Sequence, residues 1–310
     1  MDDAKRIIRA PAKLNLFLDL LGRRGDGFHE VETLMVPIRL ADTVSLVPTR
    51  AAEQGKAAEI RLAVQSAGPA GFERAAAHVP AGPDNLVVRA LELLRQQSGC
   101  DLGAEVELVK RIPAAAGLGG GSSDAAAALR LANRGWKLNW SEGRLAEIAG
   151  EIGSDVPFFL KSGPAVCRGR GERIERLPAM KPVHFVVVKP PIGLNTGEVY
   201  RAFAANPQVA ENHATGVGQL VELVNRIRHG RIVNWHKLLR NRLQEAASLL
   251  TPWVERLRAA FDELGFLGHQ LSGSGSAYFG VCRHAQHARR LATILRTRQL
   301  GLVYATRSCH

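Results

Sequence analysis

The sequence predicts an α+β fold in two domains, and three observations carry that prediction. Strand-like and helix-like periods share one chain of 310 residues. They never settle into the steady strand–helix alternation of a doubly wound sheet. The length suits one large core or two medium ones, and a boundary near residues 160–180 divides the chain into 1–170 and 171–310.

The elements follow in order. Ile7–Leu21 alternates apolar and polar residues around Pro11, and reads as a strand pair or one bent strand. Gly22–Gly27 is a turn cluster. Glu30–Val47 holds two further strand-like runs, with Ala41-Asp42 as the turn between them. Residues 50–82, rich in Ala, Gly, Pro and charge, read as a hairpin or loop region. Asp84 is placed as the cap of a helix over Asn85–Gln97, where Leu86, Val87, Ala90, Leu91 and Leu94 keep helical spacing. Ala104–Ile112 alternates with period two as a half-buried strand, and the alanine-rich run Asp124–Ala132 is a strong helix former.

A helix over Ser141–Ile152 leads into Gly153-Ser154-Asp155-Val156-Pro157. Val183–Lys189 is a buried strand stopped by Pro190-Pro191, and residues 197–250 read as mainly helical. Trp253–Leu264 is a helix, two strands bracket Ser272–Ser276, and a helix (Ala285–Arg298) precedes the last strand, Leu302–Ala305.

Composition narrows the function. An apolar share of 46% and a charged share of 23% are ordinary for a globular protein. No apolar run approaches the ~20 residues that span a bilayer. Asp2 and Asp3 open the chain with no signal-like pattern after them. Cys100, Cys167, Cys282 and Cys309 are scattered without metal-ligand spacing. A reduced, cytoplasmic protein without a membrane partner is the expectation. The net charge is +12, but the basic residues are dispersed and aromatics are only 5%, so no nucleic-acid surface is expected. The positive balance suits anionic small molecules. Oligomeric state has no signature in the sequence.

The most informative stretch is Pro113-Ala114-Ala115-Ala116-Gly117-Leu118-Gly119-Gly120-Gly121-Ser122-Ser123, between a clean strand and a clean helix. Glycines let successive backbone N–H groups converge on an anion, and the helix that follows adds its dipole. The serine hydroxyls can reach a phosphate or its magnesium ion. No GK[ST] follows, so this is not the common P-loop, and the GxGxxG register fails at Ser122. A merely flexible connection would not need four glycines and two serines here.

On these residues the chain resembles the GHMP kinase superfamily, whose pattern P-x-x-x-G-L-G-x-x-S-S is met at Pro113, Gly117, Leu118, Gly119, Ser122 and Ser123. Pro11-Ala12-Lys13-Leu14-Asn15, Gly25-Asp26-Gly27-Phe28-His29, Asp84-Asn85-Leu86-Val87, Gly153-Ser154-Asp155-Val156-Pro157-Phe158 and Ser272-Gly273-Ser274-Gly275-Ser276 add narrower matches. The resemblance runs from residue 11 to about 280. It implies a ribosomal-protein-like two-layer N-terminal domain, a ferredoxin-like C-terminal domain, and ATP with Mg²⁺ as cofactors. The narrower motifs imply phosphorylation of the 2-hydroxyl of a cytidine-diphosphate-linked polyol. Homoserine or mevalonate as acceptor, or a silent nucleotide-binding regulator, are the alternatives.

The resemblance also implies roles. Lys13 and Asp155 are the catalytic pair, the 113–123 stretch holds the phosphates, and Asn85 and Lys110 lie near the adenosine. Asn15, Phe28, His29, Thr196 and Tyr200 are expected at the acceptor side, and Ser123 is the expected magnesium ligand. Phe28 departs from the Tyr usual in the narrower group, which removes a hydroxyl but keeps a stacking face. Transfer to an alcohol needs a proton acceptor and charge compensation. Asp155 suits the first role, and Lys13, set in an apolar strand, suits the second.

Overall fold

The computed structural model describes residues 4–50, 58–69, 71–73, 79–178, 180–206, 216–230 and 235–309. By contact the chain forms two units that interleave in sequence. One comprises Met1–Ala12, Leu40–Ala114 and Gly119–Lys161; the other comprises Lys13–Arg39, Ala115–Leu118 and Ser162–His310. The single cut at residue 170 therefore differs from the contact pattern. Residues 13–39 and 115–118 group with the C-terminal part because two long strands, β1 (Arg6–Arg23) and β2 (His29–Thr49), contribute to both units.

The strands decide between the two readings around Pro11, in favour of one strand, and correct the reading of Ala41-Asp42. Pro11 does not break β1, which runs unbroken for 18 residues. No turn falls at Ala41-Asp42, since β2 runs for 21 residues. Asp42 is fully buried because its carboxylate meets partners from a distant strand, and that removes the reason to read it as turn punctuation.

In the first unit, β2 pairs antiparallel with β4 (Gly103–Lys110), from Thr43 opposite Val109 to Thr49 opposite Gly103. β3 (Ile60–Ser66), inside the region read as a hairpin or loop, pairs parallel with β4. Helix α1 (Leu86–Ser98) makes the crossover. Its cap is Asn85, whose Oδ1 accepts from Val87 N at 2.9 Å, and not Asp84. Val87, Ala90, Leu91 and Leu94 form its buried stripe, which packs on α2 (Gly120–Gly135). Helices α3 (Glu142–Ile152) and α4 (Val156–Leu160) complete that layer. Ser141 caps α3, its Oγ accepting from Arg144 N at 3.3 Å.

The second unit holds β5 (Ala165–Gly169) and β6 (Arg173–Arg176), with β5 antiparallel to the start of β2. It also holds a separate sheet of β7 (His184–Lys189), β9 (His269–Leu271), β10 (Tyr278–Cys282) and β11 (Leu302–Arg307). That sheet is ordered β11-β7-β10-β9 with every ladder antiparallel, the order of a ferredoxin-like fold. Helices α5 (Thr196–Ala205), α6 (Val217–Arg228), α7 (Leu243–Leu250) and α8 (Trp253–Asp262) lie between β7 and β9, with β8 (Arg240–Asn241) before α7. Helix α9 (Ala285–Thr297) joins β10 to β11. Val186, Leu257, Phe261, Leu271, Leu291 and Leu295 close the core between sheet and helices, each worth roughly 1.5–3 kcal/mol of burial. Among the described residues no helix is long and apolar enough to cross a membrane.

Candidate active site

The expected phosphate stretch begins in the first unit, passes through the second at Ala115–Leu118, and returns to the first at Gly119. Here the structure extends the helix. α2 starts at Gly120, four residues before Asp124, so Gly120, Gly121, Ser122 and Ser123 form its first turn and not a loop. Gly119 precedes it with φ 69 and no side chain caps the turn. An L side chain resists that φ, which explains a glycine there. Ser123 N bonds Gly119 O at 2.9 Å. The N–H groups of Gly120, Gly121 and Ser122 have no acceptor within their own helix. Donors so aligned at a helix start suit a phosphate.

Ser122 is half-buried, whereas Ser123 is 1% exposed and its hydroxyl lacks a hydrogen-bond partner among the described residues. A buried, unpartnered hydroxyl oxygen at a helix start is a donor type that fits a hard cation. No group of three or more His, Cys, Asp or Glu among the described residues could hold a metal ion by itself.

Lys110 ends β4, and its buried ammonium donates to Asp42 and, at 2.7 Å, to Asp124. The ammonium would stand 3.3 Å from a Cβ placed on Gly120, so it lies against the first turn. Asp42 also accepts from the amides of Arg111 and, at 2.8 Å, Ile112. Asp124 has fewer donors, and its Oδ1 is buried without a partner. Burial pushes the Asp124 carboxyl up to about 8, against the pull of Lys110 and with the help of Asp42. Burial would lower the Lys110 ammonium, but Asp124 and Asp42 outweigh it and hold its pKa above the ordinary lysine value. Asn85 has both ends of its amide engaged, Nδ2 donating to Pro80 O at 2.6 Å.

The second unit gathers a different set. Lys13 is 4% exposed and its ammonium donates to Asn15 Oδ1 at 2.6 Å. Asn15 passes its own amide to Thr33 Oγ1 at 2.8 Å. The turn 272–276 closes on this pair, since a Cβ on Gly273 would lie 3.1 Å from both Lys13 Nζ and Asn15 Oδ1. Gly117 packs so tightly on the same turn that a Cβ would overlap the Ser272 carbonyl. Thr196 shares a 2.9 Å hydrogen bond with Ser274.

His29 lies against Tyr200, ring centroids 5.3 Å apart, and meets Phe203 edge-on at 6.0 Å. Burial first, then Arg23, lowers its pKa, so it is neutral at pH 7 and can donate and accept at once. Phe28 is 51% exposed and carries the Arg170 guanidinium over its ring at 5.0 Å. The structure therefore brings Lys13, Asn15, Thr196, Phe28, His29 and Tyr200 into one unit. Asp155 belongs to the other, at the start of α4, where its side chain makes no capping bond. Of the two bland readings of an aspartate in that turn, turn residue or helix cap, the missing capping bond speaks against the second.

The comparisons with known proteins bear on family and fold. Residues 85–163 match the family described as GHMP kinases N terminal domain, and residues 220–299 match GHMP kinases C terminal. A 4-diphosphocytidyl-2-C-methyl-D-erythritol kinase from Pelotomaculum thermopropionicum is 43% identical over 285 residues, 91% of each chain. One from Exiguobacterium sibiricum is 37% identical over 94% of this chain and 93% of its own.

This chain belongs to that family of GHMP kinases.

A crystal structure of a 4-(cytidine 5'-diphospho)-2C-methyl-D-erythritol kinase superposes with a TM-score of 0.74 at 33% identity, over 98% of this chain and 100% of that one. A homoserine kinase from Cytophaga hutchinsonii gives the same TM-score at 19% identity, which speaks for the fold alone. The chain is thus an ATP-dependent phosphotransferase of isoprenoid precursor synthesis, acting on a small molecule. Within this GHMP kinase, residue patterns missed Asp42 and Phe203. Asp42 carries no local sign of its distant partners. Phe203 did leave a signal, three residues after Tyr200 on one helical face.

Proposed function

We propose that this kinase transfers the γ-phosphate of ATP to the 2-hydroxyl of 4-diphosphocytidyl-2-C-methyl-D-erythritol. The observation that carries the reading is the ring group of His29, Tyr200 and Phe203, with Phe28, next to His29 in sequence, leaving its ring exposed. A neutral histidine that can donate and accept suits the hydrogen-bonding edge of cytosine, and the rings suit its face. Phosphates of ATP bind at the first turn of α2, with Asn85 and Lys110 toward the adenosine end. Pro113–Leu118 complete the phosphate cradle. Asn15 and Thr196 orient the polyol.

Asp155 takes the proton of the attacking hydroxyl. Lys13, held by Asn15, offsets the negative charge that develops on that oxygen. Ser123 supplies the protein oxygen for Mg²⁺, which when bound neutralises phosphate charge. In the family's sense, 1–170 and 171–310 are the N- and C-terminal domains. A coupled ADP-release assay over cytidylylated polyol, mevalonate and homoserine tests the reading. Turnover confined to the first is expected, and comparable turnover of either other alcohol contradicts it.

A further inference from the structure

Lys189 is a buried charged group for which the chemistry above has no use. It ends β7 at 4% exposure, and its ammonium donates to the carbonyls of Pro190 at 2.9 Å and Ile192 at 2.7 Å. No ion pair to a carboxylate accompanies it among the described residues. A buried ammonium without a counter-charge is costly, so a strand end keeps one only where its donors are needed.

What it holds is the segment Pro190–Asn195, whose two prolines have no N–H to tie it down. Ile192 O accepts a second bond from Ser276 Oγ at 2.6 Å, and Leu194 N reaches Ala115 O at 3.4 Å. Gly193 lies so close that an added Cβ would sit 2.8 Å from the Ala115 methyl. The segment ends in Asn195, which caps α5 by accepting from Glu198 N at 3.2 Å. The first turns of that helix carry Thr196, bonded to Ser274, and Tyr200, packed on His29.

We infer that Lys189 is a positioning residue, locking the Pro190–Asn195 segment so that α5 presents Thr196 and Tyr200 to the alcohol acceptor. The inference rests on the acceptor reading given under Proposed function. It predicts an asymmetric effect. Ala116, Gly117 and Leu118 keep independent bonds to Ala277 N at 3.0 Å, Ser272 Oγ at 3.1 Å and Lys13 N at 2.9 Å. Among the described residues, the hydrogen bonds that tie Ala115 to this side are long, its carbonyl accepting at 3.4 Å from Leu194 N and from Ser276 Oγ. The acceptor side should therefore loosen before the phosphate side.

Titration offers an independent handle. Burial lowers the Lys189 pKa to about 8, with no neighbouring charge contributing. Opposite it, β11 presents Leu302, and β10 carries two titratable groups, Tyr278, which burial raises far out of range, and Cys282, pushed up to about 12 and paired with His184 at the other end of β7. Above that point the amine still donates but loses the charge that strengthens both bonds.

The experiment is steady-state kinetics with ATP and the cytidylylated polyol from about pH 7 to about pH 9, on the unmodified protein, Lys189→Met and Tyr200→Ala. Lys189→Met should raise the acceptor KM about tenfold and leave the ATP KM within about twofold. In the unmodified protein the acceptor KM should climb several-fold across the range, while in the variant it is high and flat. An unmoved acceptor KM, or both KM values rising together with a lower Tm, overturns the inference. Should Lys189→Met fail to fold, a flat profile in the unmodified protein overturns it and a rising one supports it. An effect of Tyr200→Ala without one of Lys189→Met sinks this inference alone. No effect of Tyr200→Ala on the acceptor KM sinks the acceptor reading beneath it.

Discussion

Lys110 donates to Asp124 at 2.7 Å beneath the turn of α2 that opens with Gly120, although 14 residues separate the two in sequence. With Asp42 on its other side, the ammonium has two buried carboxyl groups and a helix start as neighbours. The carboxyl of Asp124, raised to about 8, is the one that yields its charge.

That arrangement makes stability depend on pH with a definite sign. Folding raises the Asp124 pKa above its unfolded value of about 3.9, so folding favours the protonated form. The stability this confers is fully present below the unfolded value and is lost as pH rises toward about 8. Asp124→Asn removes the ionisation and keeps the shape. Melting curves at about pH 5 and about pH 8.5 should show the variant gaining on the unmodified protein as pH rises. A Tm difference that stays constant would contradict the burial argument.

The phosphate turn is tested through Gly119. Gly119→Val must adopt the φ of 69 that L residues resist, and its branched side chain crowds the amides of the first turn. Nucleotide affinity should fall by at least about tenfold by calorimetric titration, with about 1–2 kcal/mol of stability lost to the strained backbone. Unchanged affinity would mean that the glycines serve only the fold.

How much of this was legible in the sequence follows from the range of each interaction. The succession of strand, glycines and helix around residues 103–135 was legible because its parts are consecutive. Even so, counting alanines put the helix start at Asp124, since glycines have low helix propensity, whereas the helix starts at Gly120. Asp42 was misread as a turn because its partner Lys110 lies 68 residues away. Asp84 was taken for a cap where its neighbour Asn85 has the bond to Val87. The aromatic group at His29 needed the fold, because Tyr200 and Phe203 come from a helix in another part of the chain. Lys189 read as one more residue at a strand end.

The catalytic assignment predicts a separation of binding from chemistry. Asp155→Asn and Lys13→Met should each lower kcat by about 10²-fold or more while the nucleotide Kd stays within a few-fold. Both groups act on charge that appears in the transition state. Single-turnover measurement with bound ATP separates the two quantities. Asp155→Asn keeping more than about a tenth of the rate would remove it as the base.

At the acceptor side, Phe28→Ala should raise the acceptor KM by the loss of a stacking face, ~1–3 kcal/mol or about 5–150-fold. Phe28→Tyr keeps the ring and the Arg170 contact at 5.0 Å, and should be nearly neutral. The KM for ATP should stay level in both variants. An effect of Phe28→Ala on ATP alone would move this ring to the nucleotide side.

The central claim is that the base on the acceptor is read, and one comparison tests it directly. It sets kcat/KM for 4-diphosphocytidyl-2-C-methyl-D-erythritol against kcat/KM for the same polyol 4-phosphate without cytidine. A site that hydrogen-bonds a base leaves buried polar groups unpaired when the base is missing, so the ratio should reach ~10⁴ or more. A ratio within about tenfold of unity would show that His29 and its rings read no base, and would contradict the account.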